Sequence, residues 1–401
     1  MKYIILIGDG MGDYPLDALG GQTPLMAAQT PNLDRLAKIG RLGRVTTTPK
    51  GMAPGSDVAI MSLLGYNPQG VLTGRGPLEA AALNVPVPPG SLAFRVNLVT
   101  LERGATVYMR DHSAGDISNA EAGELIQTLA TQLPLGARSL HQGVSYRHLL
   151  VWPDAPQGIA SIPPHDYRDK AIDGFLNDLQ LGPLMDLVKA SWPILEASPV
   201  NQRRLAQGLP PANSIWLWGQ GQAPKIRPYQ ERWGLTGGTV SAVDIIRGLG
   251  LYAGLKPYLT PGATGLLNTN YQGKAETGLQ VLKNGDVAVI HLEAPDECSH
   301  QGDLKAKIQA IENFDRLIVG PVVEGCQQFG DHRILVACDH FTPISLKTHS
   351  ADPVPFALYD SQNPANANAE GFSEKSALAT GFLVQDGPSL GQLLFGPERS
   401  A

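Results

Sequence analysis

Cysteine, charge and long apolar runs are all scarce in this sequence. Only Cys298, Cys326 and Cys338 stand in 401 residues, and no two are spaced as CxxC. That excludes a disulfide framework and a cysteine-built zinc module. Buried free thiols in a reducing cytoplasm are expected instead. Charged residues make up 17% and leave a net charge of −6, which argues against nucleic acid or an anionic membrane as the main partner. No apolar run nears the roughly 20 residues of a bilayer span. At the N-terminus, MKYIILIGDG offers five apolar residues before Gly8. That is too short for a signal-peptide core, so a buried strand is expected there. There is no repeat at a fixed period and no low-complexity tract, and PPGS and SQNPANANAE are expected as surface loops.

What is present is a hydrophobic fraction of 43% and enough length for two domains with a sizeable core. Residues 3–7 (YIILI) form an apolar run ending in Gly-Asp-Gly, as an inner parallel strand does on entering a loop. TPNLDRLAKIG then predicts a helix, with Thr30 at its cap, Pro31 at its first position and Gly40 at its end. Another helix is expected from Ser56 to about Leu64, stopping at Gly65. Strand and helix alternate again in the last third. SIWLWG (214–219), DVAVIHL (286–292) and RILVAC (333–338) read as strands. SAVDIIRGLGLYAG reads as a helix, as does the segment carrying Leu304, Ile308, Ile311, Phe314 and Ile318. The alternation predicts an α/β fold, a mostly parallel sheet with helices on both faces. Between about 72 and 205 prolines are many and apolar runs short. An inserted, smaller α+β domain is expected there, with residues 1–71 and 206–401 forming one discontinuous domain.

Three groups of ionisable residues fall at the C-terminal ends of predicted strands, the edge where open α/β sheets bind ligands. Asp9 follows the first strand. HLEAPDECSHQGD supplies His291, Glu293, Asp296, Glu297, His300 and Asp303, and CDHFTPISLKTHSAD supplies Asp339, His340, His349 and Asp352. Singly, each has a bland reading: Asp9 as a turn cap, Asp296 and His300 as a solvated pair at a helix start. Only nine histidines exist in the chain, and three of them in two strand-end loops beside carboxylates point to metal ligation. Mixed oxygen and imidazole donors suit Mn²⁺ or Zn²⁺ better than Ca²⁺, with Mg²⁺ less favoured. The ligand count fits two ions, roughly 3.5–4 Å apart.

Ser56, in GMAPGSDVAIMSLLGYNP, is the fourth element. From its residue type alone it is either an ordinary helix cap or a nucleophile. Beside divalent cations a serine hydroxyl loses its proton near neutral pH without a histidine base. A helix beginning at Ser56 also turns backbone N–H groups toward an anion. GSDVA is not the GxSxG elbow of a Ser–His–Asp hydrolase, and no Pro-x-Arg follows the serine as a sulfatase would need.

At these residues the sequence resembles a known family. GDGMGD, PNLDRLA, GSDVA with GYNP and TGRGPLEAA, GVSYRH, PGATG with TNYQGKA, HLEAPDECSHQGDLKAKIQAIENFDR and DHFTPISLKTHSADPVPF resemble the archaeal-type cofactor-independent (2,3-bisphosphoglycerate-independent) phosphoglycerate mutases of the alkaline phosphatase superfamily. The likeness runs nearly end to end. It implies an alkaline-phosphatase-like fold and a glycolytic isomerase that interconverts 3-phosphoglycerate and 2-phosphoglycerate through a phosphoserine, without 2,3-bisphosphoglycerate. Carried over residue by residue, it places Asp9, Ser56, Asp339 and His340 around one metal and Asp296, His300 and His349 around another. Mn²⁺ is the ion implied first, with Zn²⁺, Co²⁺ or Mg²⁺ as alternatives.

The insert would then bind the substrate and cover the site, keeping water from the phosphoenzyme. Clamping a carboxylate and a phosphate calls for arginine forks. Arg75, Arg95, Arg110, Arg147 and Arg168 are the candidates, with Lys274 as a further option. His112 in RDHSAG is the group suited to move a proton at the glycerate hydroxyls. His141, His148, His165 and His332 are read as structural or surface residues. NSIWLWGQG, YRHLLVW and PPHD look closer to a bacterial branch proposed to act on homoserine, so a homoserine-directed phosphotransferase with the same metal site is the alternative. A phosphatase and a non-catalytic metal-binding protein stand behind it. The expected partner is a small phosphorylated carboxylic acid, with self-association into a homo-oligomer left open.

Overall fold

A computed structural model describes residues 1–156, 158–159, 161–365 and 369–399. Of the expected surface loop SQNPANANAE, residues 366–368 lie outside the described residues. The strands along the chain are β1 (Lys2–Gly8), β2 (Arg41–Val45), β3 (Leu92–Arg103), β4 (Val107–Asp111), β5 (Ser139–Val144), β6 (Arg147–Trp152) and β7 (Ser214–Gly221). They continue as β8 (Gly237–Val240), β9 (Lys256–Tyr258), β10 (Val287–Leu292), β11 (His332–Cys338), β12 (Val354–Asp360) and β13 (Leu383–Val384). The chain divides into two compact units, residues 1–72 with 225–401, and residues 73–224.

The first unit is built on one sheet of order β13-β2-β12-β11-β1-β10-β8-β9. Every strand runs the same way except β12, which is antiparallel to both its neighbours. Its centre is apolar for a physical reason: strands covered on both faces can carry no solvated side. Ile4, Ile5, Leu6 and Ile7 are wholly buried, as are Val287–Ile290 and Ile334–Cys338, and each Val, Leu or Ile side chain among them contributes about 1.5–3 kcal/mol. The register then fixes the site. Gly8 is level with Leu292 on one side and with Cys338 on the other. The next residues, Asp9, Glu293 and Asp339, therefore leave the sheet side by side at one rim. Helices form where periodicity predicts them, at Pro31–Ile39, Ser56–Leu63, Asp244–Tyr252 and Leu304–Phe314, the last running on through a π turn to Val319.

The second unit is an antiparallel sheet of order β4-β3-β6-β5, with β7 also paired to β3. Here the expected organisation needs correcting. SIWLWG does form a strand, but it pairs antiparallel with β3 from Val99↔Ser214 to Ala93↔Gly221 and takes no part in the parallel sheet. The unit therefore extends to residue 224 rather than ending at 205. The cause is packing: Ile215, Trp216 and Leu217 are buried in this unit's core with Phe94 and Phe175, and the Phe175 and Trp216 rings stack 4.2 Å apart. Alternation in a short apolar run specifies a strand without specifying its partner. Among the described residues no helix is long and apolar enough to cross a membrane.

Candidate active site

The carboxylates at the rim of the first sheet are buried and crowded. Asp9 and Asp339 are 1% and 0% exposed, and His340 is 0% exposed. The His340 Nε2 atom lies 3.4 Å from Asp9 Oδ1 and 3.2 Å from Asp339 Oδ2. Asp339 Oδ1 accepts from the backbone N–H groups of Gly10 and His340. The opposite oxygen, Asp339 Oδ2, is buried with no hydrogen-bond partner, and so is Asp9 Oδ1. Burial, with Asp339 as the next largest cause, pushes the Asp9 carboxyl well above its ordinary range. Two buried carboxylate oxygens aimed at one imidazole nitrogen without donors are costly in isolation. A cation removes that cost, so the donor set fits a metal ion.

Ser56 belongs to this group. It is the first residue of its helix, and the position before it is Gly55, so the helix start carries no side-chain cap. The hydroxyl is instead 3.2 Å from His340 Nε2. The plain-cap reading therefore fails on geometry. Gly10 keeps the loop after β1 close: it has φ +62°, and a Cβ there would sit 2.7 Å from the Asp296 backbone, so only glycine fits.

Beside this triad lies the second group. Asp296 Oδ2 is 3.2 Å from His300 Nε2, and Asp296 Oδ1 is 3.6 Å from His349 Nε2. The two histidine Nε2 atoms are 3.0 Å apart, and the His340 and His349 rings are 4.1 Å apart. The ligand atoms of Asp9, Asp339 and His340 lie within 4.8 Å of one another, as do those of Asp296, His340 and His349. All seven metal-site candidates thus meet, with His340 between the two groups. The hydrogen bond that His300 donates to Asp296 raises its imidazole to about 9. Burial works against ionisation of Asp296, but hydrogen bonds from His300 and His349 hold it well below the carboxylate range.

Some residues escaped assignment from sequence. His291, at the end of β10, meets Asp9 Oδ2 through Nε2 at 2.9 Å and Ser241 Oγ through Nδ1 at 3.1 Å. Burial, then the nearby Lys274, lowers it to about 3. Neutral His291 thereby fixes the face of Asp9 turned away from His340. Thr342 links the groups, 3.1 Å from His340 Nδ1 and donating to Asp296 Oδ1. The signal for His291 was an imidazole ending an otherwise apolar strand. Lys274 is not in the insert. It is buried in the first unit, its Nζ donates to the His291 carbonyl at 3.0 Å, and burial brings it down to about 8.

In the second unit the structure gathers most, but not all, of the predicted substrate residues. Burial depresses the Arg95 guanidinium, Glu79 opposes the shift, and Arg147 and Arg75 add to it through their charge. Arg95 lies over the Trp218 ring and pairs with Glu79 at 3.2 Å. The His112 imidazole is lowered by burial; Asp111 opposes the shift, and the charges of Arg168 and Arg95 add to it, and its Nδ1 is buried without a partner. Its ring meets His165 edge-on at 6.1 Å, and His165 in turn meets Trp218 at 5.7 Å. His165, read as a structural or surface residue, is exposed and lies beside His112. Arg110 does not join them. It is exposed, held by Glu102 and Asp169 and stacked over Tyr108.

Comparison with known proteins points to one family. The sequence profile described as 2,3-bisphosphoglycerate-independent phosphoglycerate mutase matches residues 37–201. A probable 2,3-bisphosphoglycerate-independent phosphoglycerate mutase of Geobacter sulfurreducens is 46% identical over 98% of this chain and 99% of its own length. The enzyme of that name from Methanosarcina barkeri is 48% identical over 94% of this chain and 95% of its own. Among solved structures, a Pyrococcus horikoshii protein superposes with TM-score 0.83 at 29% identity, covering 98% of this chain and 96% of that one. The cofactor-independent phosphoglycerate mutase of Thermoplasma acidophilum does so with TM-score 0.65 at 27% identity, over 98% and 99%.

Proposed function

We propose, on the premise that this chain belongs to the family of 2,3-bisphosphoglycerate-independent phosphoglycerate mutases, that it interconverts 3-phosphoglycerate and 2-phosphoglycerate through a phosphoserine at Ser56. The observation that carries the mechanism is the Ser56 hydroxyl set 3.2 Å from His340 Nε2, beside two buried carboxylate oxygens that have no other partner.

Asp9, Asp339 and His340 with Ser56 would hold one divalent cation, and Asp296, His300 and His349 the other. When bound, the cations supply positive charge that lowers the pKa of the serine hydroxyl and offsets that of the phosphate. Ser56 Oγ then gives up its proton and bonds to phosphorus as the bond from phosphorus to the C3 oxygen breaks, and that oxygen takes up the proton the serine released, which leaves C3 as a hydroxyl. The N-terminal N–H groups of the helix Ser56–Leu63 face the phosphoryl oxygens. Arg75, Arg95, Arg147 and Arg168 hold the carboxylate of the glycerate while it reorients. His112, kept neutral by burial, takes the C2 hydroxyl proton as that oxygen displaces Ser56 from phosphorus. Excluding water at this stage separates a mutase from a phosphatase. Lys274 acts behind His291 rather than on substrate. Manganese as the working ion is supported by the mixed carboxylate and imidazole donor set, and a cytoplasmic location by three buried free cysteines.

Metal-reconstituted protein given 3-phosphoglycerate in an enolase-coupled assay should turn over, lose activity with a chelator and regain it with Mn²⁺. With ATP and homoserine it should form no phosphohomoserine. Absence of turnover of 3-phosphoglycerate by loaded protein would falsify the proposal.

A further inference from the structure

The loops that leave the catalytic rim continue to another cavity in the first unit, of about 550 Å³. Tyr14, five residues past Asp9, and Phe341, next to His340, form part of its wall, their rings 6.0 Å apart. Met26 and Leu378 extend the apolar lining, and Leu378 is 56% exposed at its edge. A volume of this size is ample for a small organic ligand, whose sites run to about 300–1,000 Å³.

The polar groups of the wall differ in how well they are satisfied. Its three acids all have protein donors. Asp13 Oδ2 accepts from Lys307 and from the Ile344 N–H. Glu374 accepts from the Asp13 N–H and the Thr23 hydroxyl. Asp352 accepts from the Tyr14 and Ser350 hydroxyls. Arg44, on β2, also lines the cavity, and its Nε is buried with no hydrogen-bond partner. Among the described residues its guanidinium makes no ion pair, and the exposed Lys375 stands on the same wall. The unmet demand is therefore for an anion, next to an apolar surface that would otherwise stay in contact with water.

We propose that this cavity binds a small apolar carboxylic acid, its carboxylate on the Arg44 guanidinium and its hydrocarbon body on Tyr14, Met26, Phe341 and Leu378. Nothing in the mutase reaction uses these groups, so the site is additional to the one that turns over phosphoglycerate. Its place gives it a purpose. Phe341 is bridged through its backbone to Met11, Gly12 and Ser350, so an occupant rests on the segments that carry Asp9 and His340 to the rim. The ligand is a regulator in its position, not a substrate.

The test is calorimetric titration of the metal-reconstituted full chain with 4-phenylbutyrate, 4-phenylbutan-1-ol and 4-phenylbutylamine. The acid should bind saturably with a dissociation constant of ~1 mM or tighter. It should bind at least ~10-fold more tightly than the alcohol or the amine, and Arg44→Met should remove that preference. Met26→Trp, which fills the cavity from outside β2, should abolish binding of the acid while turnover of 3-phosphoglycerate continues. The proposal is overturned if the acid does not saturate by about 10 mM, some tenfold above the expected constant. Equal binding of the amine, or full binding to folded Arg44→Met or Met26→Trp, overturns it too.

Discussion

The two units gather ionisable groups by opposite means. In the first, strand register decides: three buried apolar strands end level with one another, and the residue after each is delivered to the same rim. The result is a dry cluster of carboxylates and imidazoles, in which Asp9, Asp339 and His340 are at most 1% exposed. The second unit collects cations on an antiparallel sheet, with Arg95 on β3 over Trp218 on β7 and His112 after β4. One cluster has an excess of acceptors and the other an excess of donors. Under the proposed reaction each has a task, the acceptors to hold cations and the arginines to hold the carboxylate of the substrate. Acceptors are held buried here because register makes them converge, whereas arginines keep long stems that reach further from the strands that carry them.

The sharpest break in this comparison comes from Ser56→Ala against Arg147→Met. Removal of a nucleophile should lower mutase turnover by ~10³-fold or more in the enolase-coupled assay. Arg147→Met should lower kcat/KM by ~10–100-fold, mainly through KM, and leave the bound metal unchanged by elemental analysis. Loss of metal from Arg147→Met would show that the two clusters are not independent.

A smaller effect sharpens the account of the first unit. His291 touches neither Ser56 nor the facing side of Asp9, and it acts only by holding Asp9 Oδ2 at 2.9 Å. His291→Ala should weaken cation binding by ~10–100-fold, measured by competition with a chelating dye at unchanged helix content. His291→Gln keeps an N–H donor and should recover most of the loss. If neither variant alters metal affinity, the contact is structural.

Legibility from sequence follows the same divide. YIILI before Gly-Asp-Gly and RILVAC before Asp-His announce strand ends, and strand ends announce the rim, so Asp9, Asp339 and His340 could be placed from pattern alone. His300 and His349 came within reach because they share loops with carboxylates. What stayed hidden was pairing at a distance. SIWLWG has the composition of any inner strand, and only its contacts with β3 and Phe175 assign it to the second unit. β12 reverses direction within a parallel sheet, which no local signal marks. Arg110 and Arg95 are equally plausible in sequence, yet Glu102 and Asp169 occupy one while the other is buried toward Arg75 and Arg147. Lys274 was a further option for clamping the substrate, but its helix face turns inward.

The smallest predicted effect separates the histidines of the two units by pH, in metal-free protein. His300 is raised from 6.5 to about 9 by its hydrogen bond to Asp296. A folded-state value above the unfolded one means that protonated His300 stabilises the fold fully below 6.5, and that this contribution is lost as pH rises through about 9. His148 in the second unit is the reverse case: burial lowers it to about 3. Unfolding then takes up a proton at acid pH, so stability falls as pH drops below 6.5. Thermal melts should therefore decline on both flanks, by about 2–4 °C for the His300 contribution. His300→Gln should flatten the alkaline flank and also change the acid one, because it removes a hydrogen bond that holds the Asp296 carboxyl low. His148→Gln should flatten the acid flank alone, and an alkaline flank that persists in His300→Gln would assign it to another group.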